Sequence, residues 1–260
     1  MQSMVEPGSQ AEQFGRLILA VIVVLALPAL PLGNYLTYPF MILTTWFHEM
    51  GHGMTALLLG QDFQQLQIFA NGSGVAQSRV ASDLSPLASA AIAAGGPLAP
   101  CLFGSLLIVA SAHQRLWRPT LWGVAVILFA SVIVYVRSPV GYFVLPLVAA
   151  CIALIAWRAP ASLARFSLQF LGVLGALSML RDFNYLFTEQ AVVGGKRMLS
   201  DTGQIEAALW LPHWFWAAII LAVCAVMVGA SLKYALNENR LRGRPTKLPA
   251  NVLQFKRPKR

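Results

Sequence analysis

Long apolar runs separated by short polar breaks set the pattern of this chain. The runs at 14–32, 35–59, 87–111, 119–136, 139–157, 162–187 and 207–232 are each long enough for a helix across the roughly 30 Å hydrocarbon core of a bilayer. The breaks hold turn residues: Pro31-Leu32-Gly33-Asn34, Arg118-Pro119, Arg137-Ser138-Pro139 and Arg158-Ala159-Pro160. The pattern changes character once. After the second run, partial alternation over 63–69 and 75–80 flanks an Asn71-Gly72 turn, which predicts a short β-hairpin. The expected fold is therefore an all-α polytopic membrane protein with about seven transmembrane helices and a β-hairpin after the second.

Composition sharpens this reading. Hydrophobic residues make up 57% of the 260 and charged residues 11%, with a mean hydropathy of +0.65, too apolar for a soluble domain with one core. The polar start, with no basic residue ahead of the apolar stretch Leu17 to Leu32 except Arg16, predicts a retained span and not a cleaved signal peptide. Most of the net charge of +9 lies at the C-terminal end, which carries Lys233, Arg240, Arg242, Arg244, Lys247, Lys256, Arg257, Lys259 and Arg260. By the positive-inside rule this tail lies in the cytoplasm, and seven spans then put the N-terminus outside, in a multi-pass protein of the cell (inner) membrane. The basic residues have the bilayer's anionic headgroups as partners, and no nucleic acid is expected, because no aromatic or folded reader accompanies them.

Within the second run stands His48-Glu49-Met50-Gly51-His52. On a helix this H-E-x-x-H spacing puts both imidazoles one turn apart on one face, where they can hold one zinc ion while the glutamate acts as general base on a zinc-bound water. A charged residue at the centre of a bilayer costs roughly 2.5 to 3.5 kcal/mol on insertion scales, so Glu49 points to function. The hairpin that follows offers a sheet edge to an extended peptide, with Asn71, Gly72 and Gly74 as candidate substrate-binding residues; an amphipathic connecting loop is the plain alternative.

The run from His48 to Arg79, with its H-E-M-G-H-G-M-T-A-L-L-L-G and N-G-S-G-V-A-Q-S-R segments, resembles the compact branch of the site-2-protease-like intramembrane zinc metallopeptidases, which lacks a PDZ domain. Ala94-Gly95-Gly96-Pro97 is similar to the small-residue element on that family's next span, and the likeness covers most of residues 40 to 225. It implies a membrane-embedded metallopeptidase fold with zinc held by His48, His52 and a distant aspartate; the domain is expected over 1–235, and the basic residues make 236–260 a cytoplasmic tail. On physical grounds alone, Gly95 and Gly96 allow close helix approach.

Two aspartates compete for the third position. Asp182 lies roughly 8 Å of helix from the outer end of the sixth run, as His52 does in the second, so depth matching favours it. The resemblance favours Asp201. Phe183-Asn184 and Leu199-Ser200-Asp201-Thr202-Gly203 are similar to the family's Asn-containing segment and Leu-Asp-Gly-like ligand motif, although this chain inserts residues between them and lacks the family's proline. A helix N-cap at Ser200 or Asp201 is the structural alternative. As a ligand, Asp201 requires residues 188–203 to fold back into the bundle.

His113 reads as an interfacial polar residue, and His213 as part of an aromatic cluster at the membrane boundary. Cys101, Cys151 and Cys224 lack metal or disulfide spacing and read as buried packing thiols. The function expected is hydrolysis of peptide bonds in membrane protein substrates, within or near the bilayer. Two other classes are a noncatalytic membrane scaffold of the same fold and a polytopic transporter using Glu49, Asp182 and Arg181 as intramembrane ionisable groups. Intact His48, Glu49 and His52 weigh against the scaffold, and the absence of repeated broken spans weighs against the transporter.

Overall fold

The computed structural model describes residues 10–237, so the basic tail lies outside the described residues from 238 onward. The chain runs through α1 (Gln10–Ala26), α2 (Gly33–Leu58), β1 (Asp62–Ile68), β2 (Gly74–Arg79), α3 (Pro86–Ser111), α4 (Trp117–Val134), α5 (Pro139–Arg158), α6 (Ala161–Arg181), α7 (Phe183–Leu186), β3 (Gln190–Val193), β4 (Lys196–Leu199), α8 (Asp201–Leu209) and α9 (His213–Ala235). Among the described residues, six helices are long and apolar enough to cross a membrane: α1, α3, α4, α5, α6 and α9. The seventh long helix, α2, matches α3 at 26 residues, but Asn34, the threonines, His48, Glu49 and His52 lower its hydropathy. Outward-facing residues such as Val126, Phe143, Leu147 and Trp157 make an apolar exterior suited to lipid.

The helix α3 is the hub, packing against α2, α6, α8 and α9. In lipid, helices gain little from hiding apolar surface and hold together by close van der Waals contact, which small residues permit. Gly104 supplies that contact to α6, where a Cβ would stand 2.6 Å from the Gly172 carbonyl oxygen. Gly51 and Gly95 do the same between α2 and α3, each leaving no room for a methyl against the opposite helix. The start of α3 is fixed by Ser85, whose hydroxyl accepts from Ala88 N at 3.2 Å, with Pro86 in the first turn where its missing N–H costs nothing.

The predicted hairpin is present, with Leu66 opposite Ala76 and Ile68 opposite Gly74. A bulge between Phe63 and Gln65 lets Phe63 stack on Tyr135 at 4.3 Å. The outer edge of β1 is closed by the turn between α4 and α5: Leu66 N donates to Tyr135 O and Arg137 N to Leu66 O, both at 2.9 Å. On its far side β2 pairs with no strand among the described residues.

Four sequence expectations need correction. The run 162–187 is two helices, broken at Asp182 between α6 and the short α7. The last run does not begin at 207: Trp210, in a left-handed conformation with φ 55°, ends α8, and Pro212 then caps a separate α9. A second hairpin, β3–β4, lies in the segment between Asn184 and Asp201. Its Gly194 and Gly195 both have positive φ, 56° and 81°, as a tight two-residue hairpin turn requires. Finally, Cys151 is exposed on the lipid-facing side of α5, while Cys101 and Cys224 pack together in the core between α3 and α9.

Candidate metal centre

Helix geometry brings the first two groups together. His48 and His52 are one turn apart on α2, and their Nε2 atoms lie 3.2 Å from each other. The third comes from far along the chain. At the start of α8, the two carboxylate oxygens of Asp201 lie 2.9 Å from His48 Nε2 and 3.2 Å from His52 Nε2. Among the described residues, His48, His52 and Asp201 form the group whose donor atoms could hold a metal ion, and Asp182 is not in it. Asp182 sits at the junction of α6 and α7, its N–H donating to Ser178 O at 3.1 Å and its carbonyl accepting from Leu186 N at 3.1 Å.

The donor set fits a cation. His52 Nδ1 is 2.8 Å from the Ile92 carbonyl on α3, and because a carbonyl only accepts, that ring nitrogen carries the proton. When His52 is neutral, its Nε2 is bare and faces His48 and the Asp201 carboxylate, so the site then offers acceptor atoms to a cation. Asp201 Oδ2, fully buried, has no hydrogen-bond partner despite its proximity to His48. A tetrahedral zinc with bonds of about 2.0–2.1 Å would separate its ligand atoms by about 3.3 Å, close to the spacings found.

The surroundings are shaped around these groups. Gly96 on α3 faces His52 directly, and a Cβ there would stand 2.1 Å from His52 Nε2. Its neighbour Gly95 instead packs on Thr55 and Gly51, so one glycine seats the ring and the other seats the helix. Glu49 is buried, and β2 crosses over it: the Ala76 N–H points to the Glu49 carboxylate, and a Cβ on Gly74 would stand 2.7 Å from Glu49 Oε1 and from Thr45 Cγ2. Gly72, with φ 84°, accepts a hydrogen bond from Thr45 Oγ1 at 2.7 Å through its carbonyl. The Asn71 side chain closes its own turn, Oδ1 accepting from Ser73 N at 3.1 Å and Ser73 Oγ at 2.8 Å.

The capping role raised for Asp201 belongs to Ser200, whose hydroxyl accepts from Gly203 N at 3.0 Å. His113 Nε2 meets the Tyr234 hydroxyl at 3.0 Å, away from this cluster. His213, at the first turn of α9, meets Glu206 Oε2 with its N–H at 2.7 Å and its Nδ1 at 2.8 Å. Those two bonds hold the Glu206 carboxyl below the usual carboxylate range and tie α8 to α9.

Three contributors had escaped the sequence reading: the Ile92 carbonyl, the Ala76 N–H and Tyr185, whose ring stands edge-on to His48 at 6.3 Å. Main-chain groups carry no residue signature, and Tyr185 is marked only by its place beside Asn184.

Among curated proteins and among solved structures, none matches the chain. A family model described as Peptidase M50B-like matches residues 17–231. That match, spanning most of the bundle and every residue of the cluster, means that the chain belongs to the Peptidase M50B-like family, the site-2-protease family of membrane metallopeptidases.

Proposed function

We propose that this chain is an intramembrane zinc metalloprotease that hydrolyses peptide bonds of membrane protein substrates. His48, His52 and Asp201 are its metal ligands and Glu49 its general base. The observation that carries the reading is the meeting of three atoms able to ligate a metal, from His48, His52 and Asp201, next to a buried glutamate. Zinc, when bound, supplies a Lewis acid for the scissile carbonyl.

The chain's own groups do the rest. The Glu49 carboxylate takes a proton from the attacking water and returns it to the leaving nitrogen. The Ile92 carbonyl keeps the His52 proton on Nδ1, and Gly96 leaves space for that ring. A helical substrate hides its carbonyls in internal hydrogen bonds, so it must unwind locally before attack. The unpaired side of β2 is suited to receive the extended form, because its Ala76 N–H already points at Glu49. On this reading Gly74, Gly72 and Asn71 set the height of that edge above the base and do not recognise side chains.

The decisive experiment is metal analysis of the purified protein beside hydrolysis of a transmembrane substrate. Wild type carries about one zinc per chain and cleaves; His48→Ala and His52→Ala lose the metal. Full zinc loading in both histidine variants would overturn the ligand assignment. The cytoplasmic location of the C-terminus, in the inner membrane, belongs to the same proposal, and a reporter fused after Arg260 reads it directly.

A further inference from the structure

Two hairpins flank the same stretch of α2 and meet at their tips. The first lies along α2 from Gly53, where a Cβ would stand 2.4 Å from the Phe63 ring, to Met41, whose side chain a Cβ on Gly72 would meet at 2.5 Å. The second starts from the metal cluster: β4 runs directly into Ser200 and Asp201, and the Asp201 carboxylate reaches His48 and His52. Its tip returns to the first hairpin. Gly194 N donates to Ser73 Oγ at 3.4 Å, and a Cβ on Gly194 would stand 2.5 Å from Phe69 Cζ. The stretch of α2 that carries Thr45, His48, Glu49 and His52 is thus the floor of a cleft, with β2 as one wall and β3–β4 as the other, closed at the end where the tips touch.

The two attachments of β3–β4 differ in strength. At its base, Thr202 Oγ1 donates to Leu186 O at 2.7 Å and Ser200 N to Glu189 O at 2.9 Å, and a Cβ on Gly203 would strike the Glu189 carbonyl. At its tip the hydrogen bond is long, and Gly194 brings no side chain to the Phe69 ring. Between these ends the strands have 4 residues each, and none of residues 187–199 is buried, although Leu186 and Ser200 on either side are. A two-stranded hairpin with so little burial is marginal by itself, and such segments open first. A substrate that continues on both sides of its scissile bond must leave the cleft at both ends, and the touching tips bar one of them. We infer that β3–β4 is the movable wall of the substrate cleft, and that the contact of Gly194 with Ser73 and Phe69 is a latch that opens to admit an unwound segment of a membrane protein. The inference rests on the proposed function for the identity of what is admitted.

Ser73→Cys and Gly195→Cys, combined with Cys151→Ala to remove the exposed native thiol, let a bifunctional thiosulfonate join the tips and a reductant release them. The reduced protein is its own reference. Joined, the full chain keeps its zinc and loses nearly all cleavage of a transmembrane substrate, and reductant restores it. Unimpaired cleavage by the joined protein overturns the inference. So does loss of zinc on joining, which would mean that the hairpin acts on Asp201 and not on access. Trypsin supplies a readout that needs neither metal nor hydrolysis: Lys196 and Arg197, both exposed, lie on the movable wall, and nicking there follows the population of the open form. Joining the tips slows the nick, and Phe69→Ala, which removes the ring that Gly194 abuts, hastens it. Equal nicking of wild type, joined protein and Phe69→Ala overturns the latch. If wild type holds no zinc and cleaves nothing, the proposed function fails, and the trypsin comparison alone decides whether the latch exists.

Discussion

His52 Nδ1 stands 2.8 Å from the main-chain carbonyl of Ile92, and this contact determines which face of the imidazole looks into the cluster. It is possible only because α2 and α3 run unusually close, and they run close because Gly51, Gly95 and Gly96 lack side chains at the crossing. A stripe of small residues that serves packing elsewhere in membrane bundles here also sets a tautomer.

Gly96→Ala should separate these roles. Its methyl would stand 2.1 Å from His52 Nε2, so the ring must shift from its place against Ile92, and metal affinity falls by about 10- to 100-fold as it does when an orienting partner is lost. Gly123→Ala on α4, where nothing lies within 4 Å, serves as the control. Metal titration and a melting curve on both variants check the expectation; wild-type affinity in Gly96→Ala would show that the ring does not depend on this cradle.

The two aspartates respond differently to neutralisation. Because Ser200 caps α8, Asp201→Asn should leave helix stability nearly intact while zinc retention drops sharply, an amide oxygen being a poor substitute for an anionic one. Asp182→Asn should keep the metal, since that residue lies outside the cluster. The capping contribution appears in Ser200→Ala instead, at about 1 kcal/mol of stability. Zinc content and unfolding curves for the three variants test this; retained zinc in Asp201→Asn rules the ligand out.

What could be read in the sequence follows the range of each interaction. His48 and His52 meet through local helix periodicity, which spacing alone reveals. The β1–β2 hairpin was announced by Asn71-Gly72, and the turn of the second, Val193-Gly194-Gly195-Lys196, carried a comparable signal within a segment read only as a fold-back. Asp201 depends on how a distant segment docks, so depth and motif pointed to different residues. The division of α8 from α9 was visible in Pro212, yet hydropathy continues across it and hides the break. The Ile92 carbonyl had no signature at all, because any residue presents the same atom.

Glu49→Gln keeps the shape of the side chain and its place under β2 but cannot accept a proton. Metal content should remain at the wild-type level while hydrolysis falls by about 10²- to 10⁴-fold, the usual contribution of a positioned base. Parallel metal analysis and single-turnover assays distinguish this from misfolding, and cleavage at the wild-type rate would remove Glu49 from the mechanism.

Acid should loosen the corner between α8 and α9. The Glu206 carboxyl is held low by its hydrogen bonds to His213, so the carboxylate form is favoured in the folded state. A depressed folded value means that this stabilisation is complete above the ordinary glutamate range, near 4.3, and is lost as pH falls through the folded value. The melting temperatures of wild type and Glu206→Gln should therefore differ at neutral pH and converge at about pH 3 or below. A difference that persists unchanged into acid would mean that the pair contributes through packing and not through charge.

The closest test of the substrate edge is Gly74. With 2.7 Å between a prospective Cβ and both Glu49 and Thr45, any side chain at this position pushes β2 away from the base, while Ile68 opposite it remains anchored to Ser138 Oγ at 3.0 Å. The strand can yield only on its free side, which is the side proposed to receive the peptide. Gly74→Val should thus retain the metal, because His48, His52 and Asp201 are carried by α2 and α8 and not by β2, and should raise KM and lower kcat together by displacing both the edge and the carboxylate beneath it. Gly60→Ala, at a turn with φ 76° and open space around it, perturbs only the backbone of the preceding loop and should affect stability more than turnover. Unaltered kcat and KM in Gly74→Val, with metal bound, would place the substrate somewhere other than along β2.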